Sequence, residues 1–489
     1  MNLRASRKVG TPVDYLQTRM QAQIQQTWGV FMKKGILVLG ILLWLAAGIG
    51  MAADPTAVKT LTPMTVEGVA PIQPASTASP AGKINPGDTA WVLMSAALVM
   101  LMTPGLALFY GGMVRTKNVL GTIMQSFMVI SLVSVQWALF GYSITFGPTV
   151  GGIIGDLSWL GLKGVGLAPN PDYAETVPHQ AFMIYQGMFA VITPALLMGA
   201  IAERMKFSAF FIFTLLWSTL VYDPIAHWVW GVGGWIRKMG GLDFAGGIVV
   251  HLSSGVSALA AAVLVGKRKG YGTEPMAPHS LPMTLMGTGI LWFGWFGFNA
   301  GSAITSGMLS TSAFVTTHLA AAAGALSWAL VEWAYKGKPT TLGVASGAVA
   351  GLATITPASG FVTPLAALFI GLTAGVFCYV GVFAKNKFRY DDSLDVVGIH
   401  GVGGTWGALA IGLLATKEVN EAGNNGLFWG NPDLLGVQAL AVLATMAYAF
   451  AVTFILLKGL GWALGLRLNE EEEDSGLDLT QHNETGYNF

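Results

Sequence analysis

Charged residues are scarce in this chain of 489 residues, in which Asp, Glu, Lys and Arg together make up 10%. A soluble globular domain has about a quarter of its residues charged. This composition therefore excludes an ordinary soluble protein. The net charge is only +1, no basic patch for nucleic acid is present, and no Gly-x-x-x-x-Gly-Lys loop for binding phosphate occurs.

Cysteine is nearly absent as well. The single Cys378 lies in an apolar run, which excludes an intrachain disulfide and a cluster of thiolate metal ligands. We predict that the protein is not an enzyme and holds neither a metal nor an organic cofactor.

Apolar residues are abundant: 53% of the chain is hydrophobic, 64 residues are glycine, and the mean hydropathy is +0.59. A membrane-spanning helix needs about 20 mainly apolar residues, and glycine suits close packing between such helices. The sequence predicts an all-α membrane protein with eleven transmembrane helices. They begin near Thr89, Val119, Pro178, Ser208, Asp243, Leu281, Ser310, Leu342, Val362, Val396 and Leu434.

The N-terminal region has the pattern of a secretory signal peptide at residues 32–53. Two lysines follow Met32, and an apolar run from Gly35 to Ile49 precedes a group of small residues. Residues 1–31 are then an upstream extension, although an uncleaved first helix is the alternative. The remaining predicted parts are an external flexible tether at 54–87, a transmembrane domain at 88–462 and a cytoplasmic tail at 463–489.

Lys and Arg are distributed unevenly between alternate connections of the predicted helices. The richer set comprises Arg115, Lys117, Arg204, Lys206, Lys267, Arg268, Lys269, Lys336, Lys338, Lys385, Lys387 and Arg389, and the poorer set comprises Lys163, Arg237, Lys238 and Lys417. Cytoplasmic loops carry the excess of positive residues. We therefore predict that the mature N-terminus is outside and the C-terminus inside, which agrees with a signal peptide.

Two acid–histidine pairs lie in apolar stretches, where an ionisable group is costly and indicates a functional site. Asp243 precedes His251 by eight residues, and Asp395 precedes His400 by five. Because a repeat with an odd number of spans inverts its second copy, we predict an inverted 5+5 repeat plus a C-terminal helix. Both imidazoles then lie near the membrane midplane, and Asp392 and Asp395 are predicted to cap the tenth helix.

Four long motifs occur in one order along the chain. They are TPGLALFYGG at 103–112, DFAGG at 243–247, FGWFGFNAGS at 293–302 and VGIHG at 397–401. From about Asp88 to the C-terminus, the chain resembles the ammonium transporter (Amt/Mep/Rh) family. Trp230, Ser302 and the tail pattern resemble the bacterial Amt branch rather than the Rh branch.

The resemblance implies an ammonium site at an external mouth. Trp230, Phe189 and Ser302 would bind the cation there, because aromatic faces attract cations and a hydroxyl accepts a hydrogen bond. Phe189 and Phe298 would form the pore gate, together with Trp295 along the path.

The resemblance also implies a narrow lumen lined by His251 and His400, with both rings mainly neutral and able to relay a proton. Asp243 would stay ionised beneath the mouth, where it orders backbone groups, attracts the cation or accepts a proton. In this reading, ammonium loses its proton near the gate and ammonia crosses the lumen. Whether the proton accompanies the ammonia is left open by the sequence.

The implied assembly is a homotrimer in the bacterial inner membrane. The acidic run at 470–474 belongs to a tail that resembles the family segment contacting PII-type signal proteins, although a solvated acidic tail is the simpler alternative. Three other functions stay open: an Rh-like channel for NH₃ or CO₂, an ammonium sensor that hardly conducts, and a redox protein whose two histidines bind haem. We expect a sensor to carry a signalling domain, for which the tail after Leu466 is short.

Overall fold

The structure, a computed structural model, describes residues 83–488. The predicted upstream extension at 1–31 and signal peptide at 32–53 lie outside the described residues, as does most of the predicted tether at 54–87. The first helix begins at Pro86, with the Asn85 side chain accepting hydrogen bonds from the Gly87 and Asp88 N–H groups. This helix therefore begins two residues before the predicted start of the transmembrane domain at Asp88.

Within residues 83–488, ten helices are long and apolar enough to cross a membrane, and one further apolar helix, α8, has 15 residues. Such a helix measures about 22 Å, which is less than the hydrocarbon core of about 30 Å. Length and hydropathy alone thus identify ten spanning helices among the described residues, and α8 is the eleventh apolar helix. The helices are α1 (Pro86–Met113), α2 (Thr116–Phe146), α3 (His179–Ala200), α4 (Phe207–Lys238), α5 (Gly247–Val265), α6 (Leu281–Ala303), α7 (Met308–Lys336), α8 (Thr341–Ile355), α9 (Pro364–Phe388), α10 (Val397–Leu414) and α11 (Asp433–Ala463).

Single 3-10 turns lie at Leu160–Leu162 and Leu427–Trp429. Two antiparallel strand pairs lie between α2 and α3, and two short helices form the tail. They are β1 (Thr149–Val150), β2 (Ile154–Gly155), β3 (Pro169–Asn170), β4 (Ala174–Pro178), α12 (Glu470–Ser475) and α13 (Leu477–His482). The register pairs Thr149 with Gly155 and Asn170 with Ala174.

The helices α5 and α10 approach each other at glycines. A Cβ atom on Gly255 would lie 2.2 Å from the Gly401 nitrogen, and one on Gly404 would lie 2.7 Å from the Leu252 nitrogen. Small residues permit such close backbone contact in membrane proteins. Each helix also begins with a π-helical turn, a feature frequent at functional sites. The crossing therefore places the two irregular turns, which carry His251 and His400, beside each other.

An aspartate binds the backbone at the start of each π turn. Asp243 accepts four N–H groups, from Gly246 through Val249, at 2.7–3.1 Å. Asp392 accepts the Val397 N–H at 2.8 Å and lies eight residues before His400, the same separation as Asp243 from His251. The predicted equivalence of Asp395 with Asp243, and its predicted capping role, are wrong. The Asp395 carboxylate instead forms an ion pair with Lys385.

Candidate functional site

A cavity of about 480 Å³ opens at one end of the molecule, which we call the Trp230 end. Its wall includes all three residues predicted to bind substrate, Trp230, Phe189 and Ser302, together with Asp243. These residues come from α3, α4, α6 and the turn before α5. The tertiary structure therefore brings the predicted mouth residues together.

The Trp230 side chain is fixed by hydrogen bonds around it. Its indole Nε1–H donates to the Asp243 carbonyl oxygen at 2.8 Å, and Arg237 Nη1 donates to the Trp230 carbonyl oxygen at 2.6 Å. The indole meets the Phe189 ring edge-on, with centroids 5.9 Å apart and planes at 88°. A fixed indole in the cavity wall can hold a cation by cation–π attraction.

The Ser302 hydroxyl lies on the same cavity. It donates to the Phe298 carbonyl oxygen at 2.9 Å, and its oxygen is 3.1 Å from the Tyr185 hydroxyl. A serine oxygen keeps lone pairs after donating its own hydrogen, so Ser302 can accept a hydrogen bond from an N–H cation. Tyr185 was not predicted. It lies one helical turn before Phe189, so the 3.6-residue period could have indicated it.

The Phe189 and Phe298 rings form a closed pair beneath this cavity. Their centroids are 4.2 Å apart, the planes are tilted by 35°, and the residues are 1% and 0% exposed. Phe189 lines the open cavity, whereas Phe298 lines a second, enclosed space on the other side. The two rings therefore separate the open cavity from an enclosed, mainly apolar one.

The inner cavity is narrow, with a volume of about 10 Å³, and contains both predicted histidines. His251 Nδ1 lies 3.2 Å from His400 Nδ1, and the two rings are nearly parallel, with an interplanar angle of 20°. Trp295 stacks on His251 with centroids 5.4 Å apart and donates its Nε1–H to Thr356 Oγ1 at 2.8 Å. The remaining wall is apolar: Met102, Leu106, Phe109, Ile192, Leu196, Val250, Leu291, Phe298 and Val349.

The facing nitrogens restrict how hydrogen is placed on the histidine pair. Two neutral imidazoles at this distance share one hydrogen, since one Nδ1 must donate and the other must accept. The buried His251 Nε2 has no hydrogen-bond partner among the described residues. An unpaired ring nitrogen in a lumen can bind a small N–H molecule or exchange a proton with it.

A family model described as Ammonium Transporter Family matches residues 90–487, most of the chain. The chain belongs to the ammonium transporter family. The predicted family is thereby confirmed, and with it ammonium or ammonia as the substrate and a multi-pass membrane protein as the class.

Relatives with established names share nearly their whole length with this transporter. It is 56% identical over 402 residues to an ammonium transporter of Bacillus subtilis, covering 82% of this chain and 98% of that protein. It is 50% identical over 404 residues to ammonium transporter Amt1 of Archaeoglobus fulgidus, covering 83% and 100%.

Solved structures have the same fold as this transporter. Saccharomyces cerevisiae Mep2 superposes with a TM-score of 0.75 at 36% identity, covering 80% of this chain and 89% of that one. A structure described as a sensor Amt protein superposes with a TM-score of 0.74 at 29% identity, covering 81% and 98%.

The Asp243 carboxylate of the transporter is 7% exposed and has two backbone N–H donors on each oxygen. These four bonds occupy the lone pairs that a carboxylate offers. Of the three roles left open by the sequence, this geometry favours ordering the backbone at the mouth. Within residues 83–488, no three His, Cys, Asp or Glu side chains are grouped so as to hold a metal ion.

Proposed function

We propose that the protein conducts ammonium through a pore with a twin-histidine lumen. NH₄⁺ binds at Trp230 and Ser302 and gives up its proton at the gate, and NH₃ crosses the inner cavity while the proton either follows along the His251–His400 pair or returns to the outer solution. The observation that carries this proposal is the 3.2 Å contact between His251 and His400 in a cavity closed by Phe298. A pair of neutral imidazoles in an apolar lumen suits a neutral amine far better than a hydrated ion.

The gate formed by Phe189 and Phe298 explains why ammonium loses its proton. An ion that passes between the Phe189 and Phe298 rings has to lose its water, and an apolar passage compensates a charge poorly. K⁺ cannot become neutral by losing a proton, so it is rejected at this step. Ser302 adds discrimination, since a site that accepts an N–H hydrogen bond disfavours an ion without one.

The proposed topology counts α8 as a span in addition to the ten longer helices, which gives eleven spans, an inverted 5+5 repeat and the Trp230 end outside. In support, Asp243 and Asp392 bind the starts of two π turns, each eight residues before a pore histidine. The Lys- and Arg-rich connections support a cytoplasmic location for the opposite end. The bacterial inner membrane is the proposed location.

The tail packs against the end of the molecule opposite Trp230. Asp478 accepts hydrogen bonds from the Leu120 and Gly121 N–H groups, at 3.1 and 2.8 Å. Glu473, in the acidic run, is 2% exposed and accepts from the Lys269 N–H at 2.6 Å and from Arg467. These bonds argue against a freely solvated tail. We propose that the docked tail contributes the surface for a PII-type partner, and that the protein is a homotrimer.

The haem alternative is disfavoured by distance. Haem iron bound by two histidines requires the flat macrocycle between the rings, whereas the His251 and His400 nitrogens are in hydrogen-bond contact. A sensor that hardly conducts would use the same binding geometry. A measurement of transport is therefore needed to distinguish it from the proposed transporter.

Methylammonium uptake by cells provides that test. Cells producing the wild-type protein should take up labelled methylammonium, and the His251→Ala variant should take up at least about tenfold less. His318→Ala is the matched control, because His318 is exposed and lies beside the aromatic rings of Trp292 and Phe296, outside the cavity of the two pore histidines. A wild-type protein that binds ammonium without any uptake would establish the sensor instead.

A further inference from the structure

Asp223 is a membrane-buried acid that the proposed pathway does not use. It is 0% exposed and lies within the apolar helix α4, directly after a π-helical turn at Ser218–Tyr222. Its contact on α2 is Gln136, which directly precedes another π-helical turn at Trp137–Gly141. An ionisable residue in such a position indicates a function rather than packing.

The hydrogen bonds of this pair are incomplete. Gln136 Nε2 donates to Asp223 Oδ2 at 2.7 Å, but Asp223 Oδ1 and Gln136 Oε1 are both buried without a partner. The Thr145 hydroxyl adjoins the carboxyl, yet its Oγ1 makes no complete hydrogen bond. A bond from Thr145 to Asp223 would still leave Gln136 Oε1 without a donor. Two unpaired acceptors on side chains already in contact lack one hydrogen between them.

No positive group compensates a charge at this site. Among the described residues, no Lys, Arg or His nitrogen lies within 4.0 Å of the Asp223 carboxylate. The nearby titratable groups on the same helix are Tyr222 and His227. The two His227 nitrogens face the Thr145 carbonyl and Thr149 Oγ1, each at 2.8 Å, which a neutral ring satisfies. An isolated carboxylate in a bilayer is costly, so it binds a cation or a proton.

We propose that Asp223 is a proton-binding site that stays occupied in the resting transporter. The proton resides on Oδ1 and is donated to Gln136 Oε1, while Gln136 Nε2 donates to Oδ2. The acid and the amide then form a ring of two hydrogen bonds, and both unpaired acceptors are satisfied. Reversing the Gln136 amide would place two oxygens 2.7 Å apart, an arrangement that also requires a proton between them.

The neutral pair gives Asp223 the role of a positioning residue for the ammonium site. It ties α2 to the segment Asp223–Trp230 of α4, which ends in the cation-binding indole. A second tie joins the same two helices, from His227 to the Thr145 carbonyl. A neutral carboxyl can hold this segment without placing a negative charge behind the mouth. This role rests on the proposed function, whereas the protonation itself does not.

Infrared spectroscopy of the purified protein tests the protonation directly. At neutral pH, the spectrum of the wild type minus that of Asp223→Asn should contain the carbonyl stretch of a protonated carboxyl, shifted in D₂O. Asp88→Asn is the control, because the Asp88 carboxylate accepts hydrogen bonds from Thr176 and Ser306 and should contribute only carboxylate bands. Carboxylate bands in the Asp223 difference spectrum would overturn the proposal, whether or not the protein transports.

Two substitutions test the positioning role. Asn can form an amide–amide ring with Gln136, so Asp223→Asn should keep the KM for methylammonium within about twofold. Leu removes the 2.7 Å partner of the Gln136 amide and leaves it only Thr219 Oγ1, at 3.3 Å, so Asp223→Leu should raise the KM about tenfold in protein that still reaches the membrane. A large loss in the Asn variant as well, with normal expression, would show that the acid does more than pair with Gln136. Equal KM values in both variants would remove the positioning role.

Discussion

His251 and His400 face each other through the same ring atom, with 3.2 Å between the two Nδ1 nitrogens. Only one hydrogen fits between these nitrogens, so the tautomer of one ring sets the tautomer of the other. The pair therefore acts as a unit, although its members are separated by 149 residues in the chain. A change in which nitrogen of one ring carries the hydrogen therefore requires a matching change of tautomer in the other ring.

A double-mutant cycle tests this unit. His251→Asn and His400→Asn should each lower methylammonium uptake about tenfold or more, because either change removes the shared hydrogen bond. The double variant should then lose little beyond a single one, since contacting residues are not additive. Initial uptake rates normalised to protein in the membrane provide the measurement. Independent losses that multiply in the double variant would show that the rings act separately.

The crossing of α5 and α10 should be intolerant of any side chain at Gly255. A Cβ atom there would meet the Gly401 nitrogen at 2.2 Å, which requires the backbone to move and separates the histidines. We expect Gly255→Ala to lower the free energy of unfolding by about 1–3 kcal/mol and to reduce uptake. Thermal unfolding in detergent measures the first effect. Gly289→Ala should change neither, because nothing lies within 4 Å of a Cβ atom at Gly289.

The Asp243 carboxylate should not tolerate replacement by an amide. The amide of an Asp243→Asn variant would offer one acceptor oxygen where four N–H groups now converge, and its own N–H₂ group would face backbone donors. Buried groups left unpaired cost about 1–3 kcal/mol each, so this variant should yield less folded protein and a lower melting temperature. Asp172→Asn is the control on the same cavity, because Asp172 is exposed. Equal melting temperatures for the two variants would contradict the backbone-ordering role.

The ion pair between Arg268 and Asp391 predicts that the stability of the folded protein decreases at acid pH. Burial raises the pKa of Asp391, but hydrogen bonds and charge from Arg268 outweigh it and hold the pKa below its ordinary value of 3.8. A lowered pKa in the folded state contributes stability above about pH 4, and that stability is lost as the pH falls further. Arg268→Gln should therefore be less stable than wild type at pH 7, and the difference should shrink below pH 4. The melting temperatures of both proteins at several pH values provide the measurement.

Lys267→Gln is the matched control for this pH dependence. Lys267 is adjacent in sequence and lies 5.5 Å from the centre of the Tyr271 ring, without a carboxylate within ion-pair distance among the described residues. The Lys267→Gln variant should show the same dependence of melting temperature on pH as the wild type. A parallel acid dependence of wild type and Arg268→Gln would show that Asp391 is not the titrating group.

The positions of the helices could be predicted because hydrocarbon requires long apolar segments. All eleven predicted starts lie within four residues of the first residue of an apolar helix, with the largest difference at Asp243 against Gly247. The predicted count exceeds the ten helices of spanning length because α8 is shorter than the others. Hydropathy registers an apolar run but does not fix where its helical hydrogen bonds begin and end.

Residues whose role depends on a distant partner were harder to predict. Asp392 binds the start of α10, whereas the sequence pattern favours Asp395 as the counterpart of Asp243, because Asp395 is nearer the apolar run. The buried Asp223 received no role, since nothing around it in the sequence indicates Gln136, 87 residues earlier. The residues around a position in the sequence do not indicate which distant side chain it contacts in the fold.

The amino-acid sequence alone determined that the chain is a helical membrane protein with two histidines in costly apolar positions, because burial in hydrocarbon restricts composition residue by residue. The tertiary structure decided which nitrogens face each other, which carboxylates are fully hydrogen-bonded and which acceptors lack a donor. These properties depend on distances of about 3 Å between different helices. Such distances are set by close contacts at glycines such as Gly255 and Gly404.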